Sequence, residues 1–465
     1  MLFRSALIIR SCVITYDAEA SCPHESGDCD AGIHGENEPA GSNPIGLRTG
    51  EKREQATDLV VNSPAGALAF TRAYRQSKLN DSYFPQVMGL GWSHNHNYFL
   101  DATSTADMIF VYLAEGGRGH FQKDSATRYI AKAGGTSLIE INNGSTDERY
   151  TLKTDNHSFV FNDQGKLRFR RWANGEEWTY TYYTTPHVAA GKLKEVGDGY
   201  GRKLQFAYLD NSGQFNHLQL RRLGDQTASG LETVSPSGRY LEYSYIEEYQ
   251  NGAVKTPTPK PLLRTVTDVR GQVWTYQYYG YVSGENDSNQ YNYLTQYQSP
   301  QVDTDGNSSS DAVITRKKLQ YTPSAGGGAS AITQELGIRA SDPALLTTDY
   351  AFLPGGAEYS TEVTGGKTTT HLFANGVYFG PQDPAGNHTY RFVDSQHRPV
   401  ELQDGNRNIT RLNWSGDGKR LEKVTDAKLK ETSFAYNSEN TLHSSLDASG
   451  RKTLYFYEDG TIVRQ

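Results

Sequence analysis

The residues that could bind a metal ion are few. His94-Asn95-His96 would place two imidazoles on one face of a strand, as metal ligation requires, but no third ligand stands nearby in the sequence. Asp303-Thr304-Asp305-Gly306-Asn307 begins like a calcium loop, yet Ser308 replaces the sharp-turn Gly and Ile314 the bidentate Glu. We therefore expect no metal or other cofactor: the histidines are ordinary polar residues beside Trp92, and the acidic segment is a solvated loop.

Catalytic chemistry has no local signature in this chain. The motifs His-Glu-x-x-His, Gly-x-Ser-x-Gly and Gly-x-x-x-x-Gly-Lys-Ser/Thr, which mark zinc proteases, serine hydrolases and phosphate-binding loops, do not occur. A catalytic triad assembled from distant residues leaves no trace in the spacing. Because the sequence marks no nucleophile, base or phosphate loop, we expect the chain not to be an enzyme and to have no catalytic residue.

The composition favours strands over helices. The chain has 465 residues, of which 36% are hydrophobic, with 46 Gly, 31 Tyr and only 3 Met. Tyr, Thr, Val and Gly favour pleated surfaces and tight turns. The steady return of aromatic residues argues against disorder. A net charge of −7 gives no reason to expect nucleic-acid binding, and no apolar run is long enough for a membrane-spanning helix.

The N-terminal segment differs from the rest. All three cysteines, Cys12, Cys22 and Cys29, lie there, and Cys22 and Cys29 could form a disulfide in an oxidising compartment. Residues 1–20 loosely resemble a signal peptide, although Arg10 interrupts the apolar stretch; a mis-assigned start or a frayed tail explains them equally well. Gly, Asp, Glu, Pro and Ser are frequent up to residue 42, which indicates a signal-like or flexible lead-in over 1–42.

A repeat of about 21 residues dominates the C-terminal part. Asp383, Asp404, Asp426 and Asp447 recur at intervals of 21, 22 and 21 residues. An aromatic residue stands ten positions after most of these aspartates, and a Gly often stands at the fourth position of the turn. These predicted turn and aromatic residues are Asp198, Gly201 and Tyr208; Asp268, Gly271 and Tyr278; Asp383 and Gly386; Asp404 and Trp414; Asp426 and Tyr436; Asp447, Gly450 and Tyr457. Gly175 with Tyr182 and Gly238 with Tyr245 repeat the spacing without the Asp.

Each repeat predicts a hairpin. Asp-x-x-Gly suits a type I turn, in which the Asp accepts backbone hydrogen bonds and the Gly takes a positive φ. The alternating run after each turn, such as residues 272–278, has the period of a strand. Arg407 and Leu429 replace the Gly in two copies and Phe392 stands one residue early, so we expect these turns to be looser or bulged.

Isolated hairpins are marginal in water, so neighbouring repeats must cover one another. The aromatic side chains are in register with the turns, which favours cross-strand packing over the stacking on sugar rings that flat faces also permit. Stretches rich in Gly, Ser, Asn and Pro at 250–261, 283–312 and 322–342 predict long loops between repeats.

Several motifs together resemble a known family. Asn43-Pro44-Ile45, Thr49-Gly50, Thr57-Asp58, the run Phe70-Thr71-Arg72-Ala73-Tyr74 and Gly89-Leu90-Gly91-Trp92 are similar to the segment that opens the shell of Rhs/YD-repeat proteins, and the repeats resemble YD repeats. The resemblance covers about residues 43–465. The family includes bacterial polymorphic toxins, insecticidal toxin-complex subunits and teneurins. It implies an all-β fold: a YD-repeat β-hairpin strip that spirals into part of a hollow shell.

The resemblance also implies a function. We expect an Rhs entry or capping β domain at 43–160 and a YD-repeat strip at 161–465. The chain would be a non-catalytic shell segment of a secreted or cell-surface toxin, with a C-terminal toxin or the remaining shell as its partner. The family's Asp-Pro-x-Gly-Leu cleavage motif has no match, because Asn387 follows Asp383-Pro384-Ala385-Gly386, and the chain could be a fragment. The alternative is an extracellular adhesin that binds a cell-surface glycan or a protein through its aromatic residues and long loops.

Overall fold

The computed structural model describes residues 45–46, 50–62, 67–81, 86–105, 107–114, 117–131, 137–154, 157–172, 174–208, 219–256, 260–285, 287–288, 290–298, 300, 315–323, 329–336, 346–352, 359–374, 377–394, 398–416, 420–437, 441–458 and 461–464. The predictions for Cys12, Cys22 and Cys29, for the lead-in at 1–42 and for the loop at 303–307 lie outside these residues.

Strands form nearly all of the regular structure in the described residues, which also contain one short 3₁₀ helix at Gln76–Lys78. The strands of the first half are β1 (Arg53–Val61), β2 (Leu68–Arg75), β3 (Trp92–His94), β4 (Phe99–Asp101), β5 (Met108–Tyr112), β6 (Arg118–Ser125), β7 (Arg128–Ala131), β8 (Leu138–Ile141), β9 (Tyr150–Lys153), β10 (His157–Phe161), β11 (Leu167–Trp172), β12 (Glu177–Tyr182), β13 (Leu193–Gly197), β14 (Lys203–Tyr208), β15 (Leu220–Asp225), β16 (Tyr240–Glu247), β17 (Tyr249–Gln250) and β18 (Ala253–Val254).

The strands of the second half are β19 (Pro261–Thr267), β20 (Val273–Tyr278), β21 (Leu294–Gln298), β22 (Thr315–Pro323), β23 (Ala329–Leu336), β24 (Leu346–Phe352), β25 (Tyr359–Thr364), β26 (Lys367–Ala374), β27 (Val377–Gln382), β28 (Tyr390–Val393), β29 (Pro399–Gln403), β30 (Ile409–Trp414), β31 (Leu421–Thr425), β32 (Glu431–Tyr436), β33 (Leu442–Leu446), β34 (Lys452–Leu454), β35 (Phe456–Glu458) and β36 (Thr461–Arg464). Within the described segments, no helix is both long and apolar enough to cross a membrane.

Most strands join one antiparallel strip. Strands β4–β16 and β19–β27 follow one another in chain order, and β17 and β18 form a small hairpin between two of them. Strands β1–β3 form a separate 3-stranded sheet, β28–β34 a 7-stranded sheet, and β35 and β36 a final hairpin. The all-β fold and its strip-like order are confirmed, and the closed hollow shell stays a prediction.

The strand bounds can be compared with the predicted loops and with the proposed domain boundary. The predicted loops at 283–312 and 322–342 are wrong in part: residues 294–298 form β21, which pairs with β20 and β22, and residues 329–336 form β23, which pairs with β22 and β24. Pairing on both edges supplies hydrogen bonds that the local composition does not reveal. The predicted loop at 250–261 contains the short strand β18, which pairs with β17. Strand β10 spans the proposed domain boundary at residue 160 and pairs with both β9 and β11. The division at that residue stays a prediction.

The core lies between the three-stranded sheet β1–β3, the N-terminal sheet, and the strip. Alternation along β2 places Phe70, Arg72 and Tyr74 on one buried face. The same alternation along β20 buries Tyr276 and Tyr278, whereas Gln277 between them is half-buried. These residues belong to one continuous hydrophobic cluster, apart from Arg72 and Gln277. Burying each large aromatic side chain stabilises the fold by roughly 1.5–3 kcal/mol, so the N-terminal sheet is an integral part of the core.

Candidate functional site

The repeat turn has one geometry, which the turn at Asp268 illustrates. Its Oδ1 accepts hydrogen bonds from the backbone N–H groups of Arg270 at 2.8 Å and Gln272 at 2.9 Å. The Gly271 N–H donates to the Asp268 carbonyl at 2.9 Å, and Gly271 has φ 80°. This is a type I turn followed by a left-handed residue, a common connection in three-residue hairpin loops. The carboxylate therefore stabilises the loop conformation.

The other predicted aspartates occupy equivalent turns. In each case Oδ1 accepts from the N–H groups two and four residues later, in the turns that begin at Asp198, Asp383, Asp404, Asp426 and Asp447. The fourth-position glycines have positive φ, namely Gly201 (81°), Gly386 (83°) and Gly450 (82°). Hydrogen bonds from the Asn387 side chain, the Asn408 side chain and the Ser449 hydroxyl, respectively, lower the pKa of Asp383, Asp404 and Asp447.

The turns without Gly are not looser, so that expectation is wrong. Arg407 has φ 64° and Leu429 φ 60°, and the N–H of each donates at 2.9 Å to the carbonyl of its turn aspartate. A residue with a Cβ pays about 1–2 kcal/mol in this conformation. The carboxylate hydrogen bonds and the strand pairing on both sides hold the backbone in the same turn despite that cost.

Each repeat aromatic stands at a β-bulge in its strand. Tyr278 lies where the register between β20 and β21 shifts, opposite Leu294. Tyr208 is opposite Leu220, Trp414 opposite Leu421, and Tyr436 opposite Leu442, each at an equivalent shift. In the first C-terminal repeat this position holds Val393, one residue after Phe392. The backbone of Tyr457 also lies at a bulge, and its side chain lies outside the described residues.

The aromatic of one repeat closes the bulge of the preceding repeat. The carbonyl of Leu263, which lies opposite the bulge at Tyr245, accepts a hydrogen bond from the Tyr278 hydroxyl at 2.7 Å. The same donation recurs from Tyr182 to Leu167 (2.8 Å), Tyr245 to Leu220 (2.6 Å), Tyr321 to Leu294 (2.7 Å), Tyr436 to Leu421 (2.9 Å) and Trp414 Nε1 to Pro399 (2.8 Å). These bulge clamps explain why the repeat uses Tyr or Trp, which combine a flat apolar ring with a hydrogen-bond donor.

The clamp from Tyr321 to Leu294 was not predicted from the sequence. Tyr321 was not assigned to a repeat, although Asp311 stands ten residues before it, the same spacing as between Asp268 and Tyr278. The signal was weak because Ile314 occupies the position of the Gly, and Asp311 lies outside the described residues. Tyr182 and Tyr245 form clamps in repeats that have the Gly without the Asp, so neither the Asp nor the Gly alone marks every repeat.

The N-terminal sheet is anchored to this row of tyrosines. The Trp92 indole N–H donates to the Tyr278 hydroxyl at 2.9 Å. The Tyr278 hydroxyl thus accepts a hydrogen bond from the N-terminal sheet and donates one to the Leu263 carbonyl. The Tyr74 hydroxyl accepts from the Leu294 N–H at 3.1 Å. Phe70 contacts the ring of Phe206 with a centroid separation of 5.9 Å. The sheet thus occupies the aromatic face that the repeats create.

A buried ion pair lies at the centre of this interface. Arg72 Nε is 2.8 Å from Asp58, and their side chains are only 3% and 7% exposed. Arg72 also donates to the Tyr276 hydroxyl at 2.6 Å and lies over the rings of Trp92 and Tyr276, while the Tyr243 hydroxyl donates to Asp58 at 3.0 Å. Burial raises the pKa of Asp58 above its usual value, and the charge of Arg72 opposes that rise. The pair fixes the sheet relative to the strip.

The loop before β3 touches the strip backbone directly. The Leu90 N–H donates to the Pro261 carbonyl at 2.9 Å. Gly89 has φ 90°, and a Cβ added there would lie 2.9 Å from the same carbonyl oxygen. Glycine is required at this position because both the conformation and the close approach exclude a side chain.

His94 and His96 are buried, and their rings contact protein groups. His94 Nδ1 accepts from the His96 backbone N–H, while His96 Nε2 lies 2.9 Å from the Ala69 carbonyl. Burial lowers the pKa of His94 well below 6.5 and that of His96 to about 4. In the part of the chain that the structure describes, no group of three His, Cys, Asp or Glu side chains could hold a metal ion.

Comparisons with known proteins give a partial match. Residues 42–121 match a family model described as a domain of unknown function, DUF6531. No curated protein matches the chain. Among solved structures, a crystal structure of TcdB2-TccC3-Cdc42 is similar with 10% identity and a TM-score of 0.36, over 88% of this chain and 24% of that one. The Photorhabdus luminescens Tc holotoxin pore is similar with 10% identity and a TM-score of 0.30, over 89% and 23%. At these values neither likeness establishes a shared fold or function.

Proposed function

We propose that this chain is a non-catalytic structural segment of a shell of the Rhs/YD-repeat type, secreted or exposed at the cell surface. Its partners would be the remaining shell and an effector polypeptide that the completed shell encloses. The observation that carries this proposal is the row of bulge clamps, which builds a long strip with one aromatic face and seats the N-terminal sheet on it.

The repeat design supports a role in enclosure. Each hairpin is too small to be stable alone, and each clamp joins a hairpin to the preceding one, so the strip can extend by adding repeats. Such a strip can form a large wall, with an inner and an outer face, from few residues per repeat. The buried Arg72 is paired with Asp58 and hydrogen-bonded to Tyr276, so its charge holds the N-terminal sheet against the strip.

One face of the sheet β28–β34 is suited to be covered by a further partner. Its Leu412, Trp414, Phe434 and Tyr436 are half-buried, whereas Tyr276 and Tyr278 of the strip are buried by their own N-terminal sheet. In this sheet Trp414 and Tyr436 form the same kind of clamp that Tyr278 forms in the strip. A covering by shell or effector segments would complete the burial of these side chains.

Co-expression with the polypeptide encoded next to this sequence in its genome tests the proposal. We expect a stable complex in which protease leaves the partner intact under conditions that digest the partner expressed alone. A control carries Arg72→Met, which weakens the seat of the N-terminal sheet and should increase cleavage. A partner that is digested equally in both preparations, or an adjoining sequence that encodes none, contradicts the enclosure role.

One observation favours a binding module as the second candidate. Tyr249 and Tyr281 are half-buried near the β17–β18 hairpin, with ring centroids 4.8 Å apart, and Arg264 lies over the Tyr281 ring. Aromatic faces of this kind can stack on sugars. Glycan-array binding that Tyr281→Ala abolishes, with the fold unchanged, would favour an adhesin, and an array without signal would count against it.

A further inference from the structure

A cluster of aromatic rings surrounds one arginine at the rim of the strip. Arg170 lies on β11, opposite Phe159 on β10 and Trp178 on β12. Its guanidinium carbon lies 5.2 Å from the centroid of Phe159, 4.9 Å from that of Trp172 and 5.7 Å from that of Trp178. The cluster lies near a strand end, because β10 begins at His157 and β11 ends at Trp172.

This arginine has no carboxylate partner among the described residues, unlike Arg72, Arg75 and Arg171. Arg72 is paired with Asp58 and Arg75 with Glu51. The neighbouring Arg171, on the opposite face of β11, is paired with both Glu148 and Glu177. Within the described segments, Arg170 makes one polar side-chain contact, with His157, whose Nε2 lies 3.4 Å from Nη2. A cation that is partly buried without an anion is energetically costly.

Two buried donors in the cluster lack an acceptor. Among the described residues, neither Arg170 Nε nor Trp178 Nε1 has a hydrogen-bond partner, and Trp178 is 7% exposed. The two residues are direct cross-strand neighbours, so their side chains lie on the same face. Buried N–H groups are nearly always paired in folded proteins, which indicates that an acceptor is missing here.

His157 lies in the cluster without adding a second positive charge. Burial, and secondly the charge of Arg170, lower its pKa to about 4, so the ring is neutral at pH 7. The ring stands 4.8 Å from Phe159. A bound anion would therefore meet one full positive charge, two N–H donors and apolar ring faces that exclude water.

We propose that Arg170 and Trp178, within the rings of Phe159 and Trp172, form a binding site for a carboxylate such as the Asp or Glu side chain of an acidic peptide. A planar carboxylate matches the guanidinium edge, and it can also reach the indole N–H. The apolar rings disfavour more strongly hydrated anions such as phosphate. This site is independent of the proposed shell role, since it requires only this rim of the strip.

Titration of the full chain with sodium acetate tests the site, at an ionic strength held constant with sodium chloride. Trp172 and Trp178 flank Arg170, so we expect a saturable change in tryptophan emission. In ¹⁵N-labelled protein the indole N–H resonance of Trp178, identified by its absence from Trp178→Phe, should shift. An acetylated and amidated peptide containing Asp should produce the same changes.

Variants connect the signal to the site. Arg170→Gln should weaken acetate binding about tenfold or more, because it removes a charge-assisted hydrogen bond. Arg171→Gln is the matched control on the opposite face and should bind as the unmodified chain does. Trp178→Phe keeps an aromatic ring and removes the N–H donor, so it should weaken binding severalfold, measured by the emission of Trp172. This variant tests the site even if Arg170→Gln disturbs the fold.

Three results would overturn the assignment. The first is an acetate titration without saturation. The second is equal weakening by Arg170→Gln and Arg171→Gln, which would place the effect outside the cluster. The third is binding of inorganic phosphate without binding of acetate or peptide, which would exclude a carboxylate as the ligand.

Discussion

Replacing Arg72 by Met should weaken the packing of the N-terminal sheet on the strip and lower the free energy of unfolding. The substitution removes the ion pair with Asp58 and the hydrogen bond to Tyr276, and it leaves Asp58 with the Tyr243 hydroxyl. Both charged side chains are almost fully buried, and breaking such a pair from one side costs about 3–5 kcal/mol. The exposed pair Arg171–Glu177 is a contrast, since its side chains are each 37% exposed and its loss should cost about 0–1 kcal/mol.

Urea unfolding followed by tryptophan emission and circular dichroism measures this difference. Arg72→Met, Asp58→Asn and the double variant form a cycle, with Arg171→Met as the matched surface control. We expect the double variant to lose at least about 2 kcal/mol less than the sum of the single variants, because neither charge is then left alone in the interior. Hydrogen exchange should accelerate first in residues 50–98. A loss below about 1 kcal/mol for Arg72→Met, equal to that of the control, would refute the role of the ion pair.

Three further outcomes can be checked by the same unfolding measurements. Tyr278→Phe should cost about 1–3 kcal/mol, since it leaves the Leu263 carbonyl without its donor in the core; an unchanged stability would contradict the clamp. Arg407→Gly should stabilise the chain by up to about 1 kcal/mol by relieving a positive φ, whereas Gly450→Ala in the equivalent turn should destabilise it by about as much; equal signs would refute the strain argument. The pKa of His96 is lowered from 6.5 to about 4, so the folded state holds this ring neutral while the unfolded state takes up a proton; stability should therefore fall by about 3 kcal/mol as the pH drops from about 6.5 to 4, and His96→Gln should remove that part of the pH dependence.

The repeat pattern predicted much of the local structure. Spacing between Asp and aromatic located the turns at Asp268 and Asp447, because a carboxylate that accepts two backbone N–H groups dictates a short-range conformation. Alternation of side chains predicted the strands for the same local reason. Local patterns failed where strand pairing supplied the missing stability: they predicted a loop across β23 and looser turns at Arg407 and Leu429.

The sequence by itself determined the hairpin unit, since turn chemistry and a period of two operate within about ten residues of chain. Only the tertiary structure decided what the aromatic residues do. Tyr278 meets Leu263, 15 residues away, and Trp92, 186 residues away. Arg72 meets Tyr276 across 204 residues. Such contacts depend on how distant strands pack against one another. The same holds for Arg170 and Trp178, whose donors lack a partner among the described residues, because only the packed strands show which groups surround them.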